Sequence, residues 1–302
     1  MSNGLCPSCG RAAFDPFRMN LLRCNACGLV VDRAIWQQSA NATLEDEWFG
    51  EDYDPQCSPW VRLFERWNNK RTCKRITSLD LPGKRLFEIG VGSGSFLQYM
   101  RDRGFEAMGC DLSKAICQMV RDKYGIAMHY GYVSELPDAP CFDIVVMNHV
   151  LEHVVDPVDL LRDIKRRIQP GGVVHLAVPN VSCWGARLPG WTSYEPYHLL
   201  YFTPETLRLT VEQAGFTIEQ EVTHESFSGW FLAVLRTLLG TYRLQAAERN
   251  ASREARAGSP AEHVYRAAMV VSGLLTLPLR GVQGLLGKGD EVVLIARVED
   301  VE

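Results

Sequence analysis

The chain has 302 residues, 46% of them hydrophobic and 23% charged, with a formal net charge of −4. This is the globular range, with enough apolar material for one large domain or two ordinary ones. The acidic balance argues against a dedicated nucleic-acid or anionic-lipid surface. The first residues, MSNGLCPSC, lack the basic region and apolar core of a secretory signal, so the expected compartment is cytoplasmic.

Elements follow in chain order. Residues 1–33 hold two knuckles, CPSCG and CNACG, with paired cysteines Cys6/Cys9 and Cys24/Cys27. Each CxxC turn puts both sulfurs on one side of a tight bend. Two such turns supply the closed Cys₄ set that Zn²⁺ favours, with no open position for a reacting group. The expected role is a structural zinc-ribbon module packed on its neighbour, because so short a segment cannot build its own core. CxxC pairs without an export signal indicate reduced thiols. The other cysteines are scattered and read mostly as small buried residues.

Residues 34–80 form a connector rich in tryptophan (Trp36, Trp48, Trp60, Trp67), with helical spacing over 58–79. Such a helix, just ahead of a nucleotide-binding strand, can contribute a wall of the pocket. From residue 84 strands alternate with helices. KRLFEIG, FEAMGCD, IAMHYG, FDIVVMN and VVHLAVPN read as strands. Between them lie helices over 93–104, over 112–125 with Ser113 as N-cap, and over 158–172, the last stopped by Pro170-Gly171-Gly172. TPETLRLTVEQAGF is a further helix capped by Thr203 with Pro204 at its first position. FTIEQEVTHES and DEVVLIARVED are the last strands. This alternation predicts an α/β fold with a doubly wound parallel sheet.

About sixty residues, 227–287, are inserted before the final strand. Two apolar stretches there flank an Arg-rich run, and neither offers about twenty clean apolar residues, so no transmembrane span is expected. Core, lid or dimer helices are the plainer readings of the insertion. Interfacial contact with a lipid-linked substrate is the sharper one.

The most informative stretch is LFEIGVGSGSF. Glu88 ends a strand and is followed by Gly90, Gly92 and Gly94 before a helix. Glycines there let the backbone approach a ligand, and the helix start offers free N–H groups. An acid ahead of the glycines repels phosphate and suits an ammonium or sulfonium group. Asp111, closing the next strand, can accept hydrogen bonds from two ribose hydroxyls.

At these residues the chain resembles the class I S-adenosylmethionine-dependent methyltransferases, of the small-molecule and sugar type. The resemblance covers roughly residues 70–225 and the last strand, through FEIGVGSGSF, GCDLS, YVSELP, FDIVVMNHVLEHVVDP, IQPGGVVHLAVPN and YHLLYFTPETLRLTVEQAGF. It implies a seven-stranded Rossmann-like sheet over 81–226 and 288–302, with S-adenosylmethionine as cofactor. Glu88 and Gly90 to Gly94 would then line the methionine end. Asp111 would hold the ribose, Leu112 and Tyr132 would flank the adenine, and Asn148 and His149 would sit where the methionine part meets the acceptor. Tyr132 stands where family members often carry an acid.

HVLEH formally matches a zinc-peptidase pattern, but it follows a buried parallel strand at the mouth of a cofactor site, so that reading is rejected. Ubiquinone-pathway O-methyltransferases look similar here and bind a divalent ion through acids and a histidine. This chain matches them at Glu152 and His153 and has His149 where they carry another acid. A helix-start network that holds the loop is the preferred reading of Glu152 and His153.

His198, in an aromatic-rich loop after the fifth strand, is the preferred general base, with His149 in reserve. The expected reaction is methylation of a hydroxyl on a small molecule or sugar, which can be lipid-linked. C-methylation of a nucleotide-linked keto sugar is the enzymatic alternative, since sugar C-methyltransferases also carry an N-terminal cysteine zinc module. A zinc-ribbon adaptor or RNA-binding protein with a non-catalytic methyltransferase fold is the alternative from another class. The acidic balance and the lack of a basic aromatic platform argue against nucleic acid as partner.

Overall fold

A computed structural model describes residues 4–33, 59–139, 141–195, 198–227, 229–241 and 260–299. Trp36, Trp48 and Cys57 lie outside them. The larger sheet has seven strands: β4 (Arg85–Ile89), β5 (Glu106–Asp111), β6 (Ala127–Tyr130), β7 (Phe142–Asn148), β8 (Ile168–Pro179), β10 (Thr217–His224) and β11 (Glu291–Arg297). Their order is β10-β11-β8-β7-β4-β5-β6. The strands from β8 to β6 in this order run parallel, and β11 is antiparallel to both neighbours. Helices cover both faces, which explains why β7 is buried along nearly its whole length and reads as an unbroken apolar run.

The helices start and stop where side chains can satisfy their free ends. In α3 (Lys114–Tyr124) the Ser113 hydroxyl accepts from Ile116 N–H, and the helix ends on left-handed Gly125. In α5 (Pro204–Gln213) Thr203 and Thr206 form a reciprocal cap, with Pro204 in the first turn. Helix α1 (Pro59–Thr77) covers the connector's helical stretch, and α2 (Ser95–Arg101) follows the glycine loop.

One expected boundary moves. Helix α4 (Pro157–Lys165) ends before the proline, and β8 begins at Ile168, so Pro170-Gly171-Gly172 lies inside the strand. The register against β7 slips there, from Phe142↔Ile168 to Ile144↔Val173. The segment is a bulge. It needs glycine because a Cβ at Gly172 would sit 2.8 Å from the Asp143 carbonyl oxygen.

The smaller sheet is β1 (Phe14–Pro16), β2 (Leu21–Cys24), β3 (Val30–Asp32) and β9 (Leu200–Tyr201). Its last member belongs to the chain after β8. β3 pairs antiparallel with β9, Val30 against Tyr201 and Val31 against Leu200, and Asp32 N–H donates to the Leu199 carbonyl at 3.0 Å. The Ser8 and Thr210 hydroxyls bond at 2.9 Å in the interior. Cys6, Cys24, Leu29 and Val31 share one core with Phe202, Leu207 and Val211. The knuckles therefore have no core of their own, as the sequence implied, and what they brace is the segment running into β9 from His198.

A direct consequence can be measured. Cys24→Ser should release one equivalent of zinc and lower Tm, as followed by metal analysis and calorimetric melting. Its affinity for the expected cofactor should stay within about threefold of the parent, because Glu88 and Asp111 lie on β4 and β5 of the larger sheet and the knuckles belong to the smaller one. A parallel collapse of cofactor binding would contradict this separation.

The insertion contributes α6 (Gly229–Leu238), α7 (Pro260–Leu275) and α8 (Leu277–Leu285).

Candidate active site

The carboxyl ends of β4, β5, β7 and β8 meet in one crevice, the place where parallel open sheets bind ligands. Glu88 sits on β4, buried at 4% exposure. Its Oε2 has no hydrogen-bond partner. Burial first, then the nearby Asp111 charge, push its carboxyl well above the usual range, while Asn148 pulls the other way. An orphaned buried carboxylate oxygen is costly, and it marks a position built for a donor or cation that arrives from outside the chain.

The glycine loop turns over this carboxylate. Gly90, Gly92 and Gly94 all have positive φ, at 72°, 54° and 72°. A Cβ at Gly90 would lie 2.5 Å from Val150, whereas above Gly92 no atom lies within 4 Å. The loop is thus packed from below and open above, as a cradle must be. Asp111, at the end of β5, accepts from Ser113 N–H at 2.9 Å and, more weakly, from Gly92 N–H at 3.4 Å. Leu112 follows it, half-buried, and Tyr132 is exposed on the turn before a short 3₁₀ helix, Val133–Glu135. Helix α1 touches the loop from the other side. Ser93 donates to Glu65 at 3.0 Å, and Asn69 donates to the Ser95 hydroxyl at 3.2 Å.

Beyond the end of β7 the polar residues crowd together. His149 adopts φ 56°, a left-handed backbone that costs a non-glycine residue about 1 kcal/mol or more. The turn aims its ring between two carboxylates, with Nδ1 3.3 Å from Glu152 and Nε2 3.0 Å from Glu291. Burial opposes the ring's charge, but both carboxylates outweigh it and hold the His149 pKa well above the usual value. The pairing favours the charged ring, which counts against His149 as the reserve base. Glu152 is fully buried, and although burial raises its pKa, the hydrogen bond and charge of His149 bring it below the usual value.

His198 reaches this group from the loop before β9. It is 7% exposed, and its Nδ1 donates to the Ser193 carbonyl at 2.8 Å. A carbonyl can only accept, so the lone pair of the neutral ring is on Nε2. Burial pushes its pKa down to about 4, with Glu152 only partly restoring it. Its ring meets that of His153 edge-on at 4.9 Å. Glu152, His153 and His198 each offer a donor atom within 4.8 Å of the others. Two imidazoles and one carboxylate suit a borderline divalent ion better than Mg²⁺.

The four N-terminal cysteines form a second, separate cluster. Cys6 and Cys27 sulfurs are 3.5 Å apart and Cys9 and Cys24 sulfurs 3.6 Å apart, and no disulfide joins them. All four lie within 4.8 Å of one another. Tetrahedral Zn–S bonds of about 2.3 Å require sulfurs about 3.8 Å apart, so the cluster has the right size for zinc.

Three contributors were not legible in the sequence. Glu291 opens the last strand, 142 residues from His149, and only the β8–β11 pairing brings them together. Glu65 and Asn69 carried no signal beyond the helical spacing of α1.

Comparison with known proteins places these residues in context. The family model described as a methyltransferase domain matches residues 62–221, just over half of the chain. The ubiquinone biosynthesis O-methyltransferase of Alkalilimnicola ehrlichii is 30% identical over 148 residues, covering 42% of this chain and 58% of that protein. Its counterpart in Pseudomonas fluorescens is 31% identical over 111 residues, covering 34% of this chain and 47% of that protein. The match spans about half the length of these curated relatives. Among solved structures, an S-adenosylmethionine-dependent methyltransferase of Archaeoglobus fulgidus superposes with a TM-score of 0.50 at 19% identity, over 85% of this chain and all of that one. The [4+2]-cyclase SpnF superposes with a TM-score of 0.51 at 20% identity, over 83% of this chain and 86% of that one. Since a cyclase shares the fold, the reaction has to be argued from the residues.

Proposed function

The chain belongs to the methyltransferase-domain family, and from that premise we propose that it transfers the methyl group of S-adenosylmethionine to a hydroxyl of a small molecule or a sugar. The observation that carries the reading is the buried Glu88 carboxylate, its Oε2 without a partner, under an open glycine cradle. Glu88, Gly90, Gly92, Gly94 and Asn148 would hold the methionine end, Asp111 the ribose, and Leu112 and Tyr132 the adenine. Bound S-adenosylmethionine supplies a methyl carbon activated by a positive sulfur.

What remains for the protein is alignment and removal of the acceptor's proton. In this reading His198 Nε2 accepts the hydroxyl proton. Its Nδ1–H is fixed on Ser193, and the ionised Glu152 carboxylate stands nearby to offset the positive charge that forms. His149, held between Glu152 and Glu291, orders the loop after β7. The four cysteines would hold Zn²⁺ as a structural ion that braces the His198 segment through β9, with no part in the transfer.

The test is transfer of a labelled methyl group to paired acceptors, a phenolic or sugar hydroxyl and a nucleotide-linked keto sugar, with product NMR. An O–CH₃ product is expected. A C–CH₃ product would move the reading to sugar C-methylation, and no transfer with any acceptor despite tight cofactor binding would place the chain with the non-methylating members of the fold.

A further inference from the structure

The insertion carries a surface that the active site does not use. More than half of the exposed large apolar side chains among the described residues lie between Val234 and Leu286. In α7, Val271, Leu274 and Leu275 recur at helical spacing on one exposed face, and in α8 Leu279, Val282 and Leu285 do the same, with Leu275 76% and Leu285 90% exposed. The halves Ala267–Leu275 and Leu277–Leu285 meet at 55°, and together they are as long and apolar as a membrane segment, although among the described residues no single helix is.

The polar groups of this bent pair point inward. Arg280, the one charged residue between Ala267 and Leu286, stacks on Phe227 at 5.0 Å and donates to the Gly273 carbonyl at 3.0 Å. Gln283 is buried, donating to Glu225 and accepting from Trp230 N–H. The outward face is left apolar, much larger than the scattered exposed residues of an ordinary soluble surface.

Charge identifies the occupant. Residues 227–288 hold eight Lys and Arg against three Glu, an excess of five positive charges in a chain whose net charge is −4. The acidic average of the whole chain, which argued against an anionic surface, conceals an insertion that is basic in sequence. An exposed apolar helix face within a segment of basic composition is the chemistry of a helix lying in the headgroup region of an anionic bilayer.

We propose that the α7–α8 pair docks this chain on an anionic lipid surface. The C-terminal end of the pair is tied to the catalytic end of the sheet. Thr223 donates to the Gly284 carbonyl at 3.1 Å, and Asn180 donates to the carbonyls of Gly287 and Gly289 at 3.1 and 2.8 Å. Glu291, the partner of His149, follows two residues after Gly289. The docked face would thus stand next to the acceptor side of the crevice, where an acceptor carried by a lipid would arrive. The surface itself is independent of the methyl-transfer reading.

Flotation of the full chain with vesicles is the test. The parent should float with phosphatidylglycerol vesicles and at least about tenfold less with pure phosphatidylcholine or at high salt. Leu275→Asp with Leu285→Asp should lower flotation at least about tenfold, with S-adenosylmethionine affinity and circular dichroism unchanged. Arg249→Glu with Arg253→Glu should weaken binding to the anionic vesicles without touching the apolar face. Flotation retained by the Leu→Asp pair, or none by the parent, would overturn the proposal. A lipid-free dimer that the Leu→Asp pair converts to monomer would also overturn it and assign the face to a second copy.

Discussion

Replacing His198 with alanine is expected to lower kcat by about 10²–10⁴-fold, the usual worth of a positioned general base. S-adenosylmethionine affinity should change by less than about threefold, because His198 lies on the acceptor side of the crevice. The pH profile provides a second readout. Only the neutral ring accepts a proton, and burial holds the His198 pKa at about 4. The neutral form therefore dominates above about pH 4 and is lost as pH falls through that value. The acid limb of kcat/KM, corrected for the folded fraction, should lie near pH 4, and not near the ordinary histidine value of about 6.5. Full turnover by His198→Ala, or an acid limb at 6.5 that survives the substitution, would remove the base assignment. His149 is not a ready substitute, since two carboxylates favour its charged form.

Asp111→Ala should weaken S-adenosylmethionine binding by about 10²-fold. A carboxylate that accepts two hydroxyls makes two charge-assisted hydrogen bonds, each worth about 1.5–3 kcal/mol. Part of the loss would come from the loop itself, since Asp111 also accepts from Ser113 and Gly92. Asp111→Asn separates the two contributions, because an amide oxygen can still hold one backbone N–H while the charge is gone. Equilibrium dialysis with labelled cofactor reads both variants. Unchanged binding by Asp111→Ala would show that the ribose is held elsewhere.

The strands were legible because a parallel sheet covered on both faces leaves continuous apolar runs, of which FDIVVMN is the plainest. Helix caps at Ser113 and Thr203 were legible because their chemistry is local. The start of β8 was not. Pro170-Gly171-Gly172 has the composition of a helix stop, and only the neighbouring strand turns it into a bulge. The strand ends around Glu88 and Asp111 were legible for a similar reason, since the glycine loop and the cap at Ser113 follow them at once in the chain.

The acceptor side was much less so. Its charges come from β11, from a 3₁₀ turn and from the loop before β9, and their meeting depends on strand register across the chain. His149 illustrates the difference. Its position was readable, but its protonation depends on Glu291, which no short motif connects to it. The pairing of β3 with β9 was hidden in the same way, because a two-residue strand leaves no period in the sequence.

The central claim is that the crevice at β4 and β5 is a working S-adenosylmethionine site. Calorimetric titration of the full chain with S-adenosylmethionine measures this most directly. One saturable site per chain is predicted, lost by about 10²-fold in Asp111→Ala and retained in Cys24→Ser. Absence of binding by the intact, zinc-loaded chain would contradict the account.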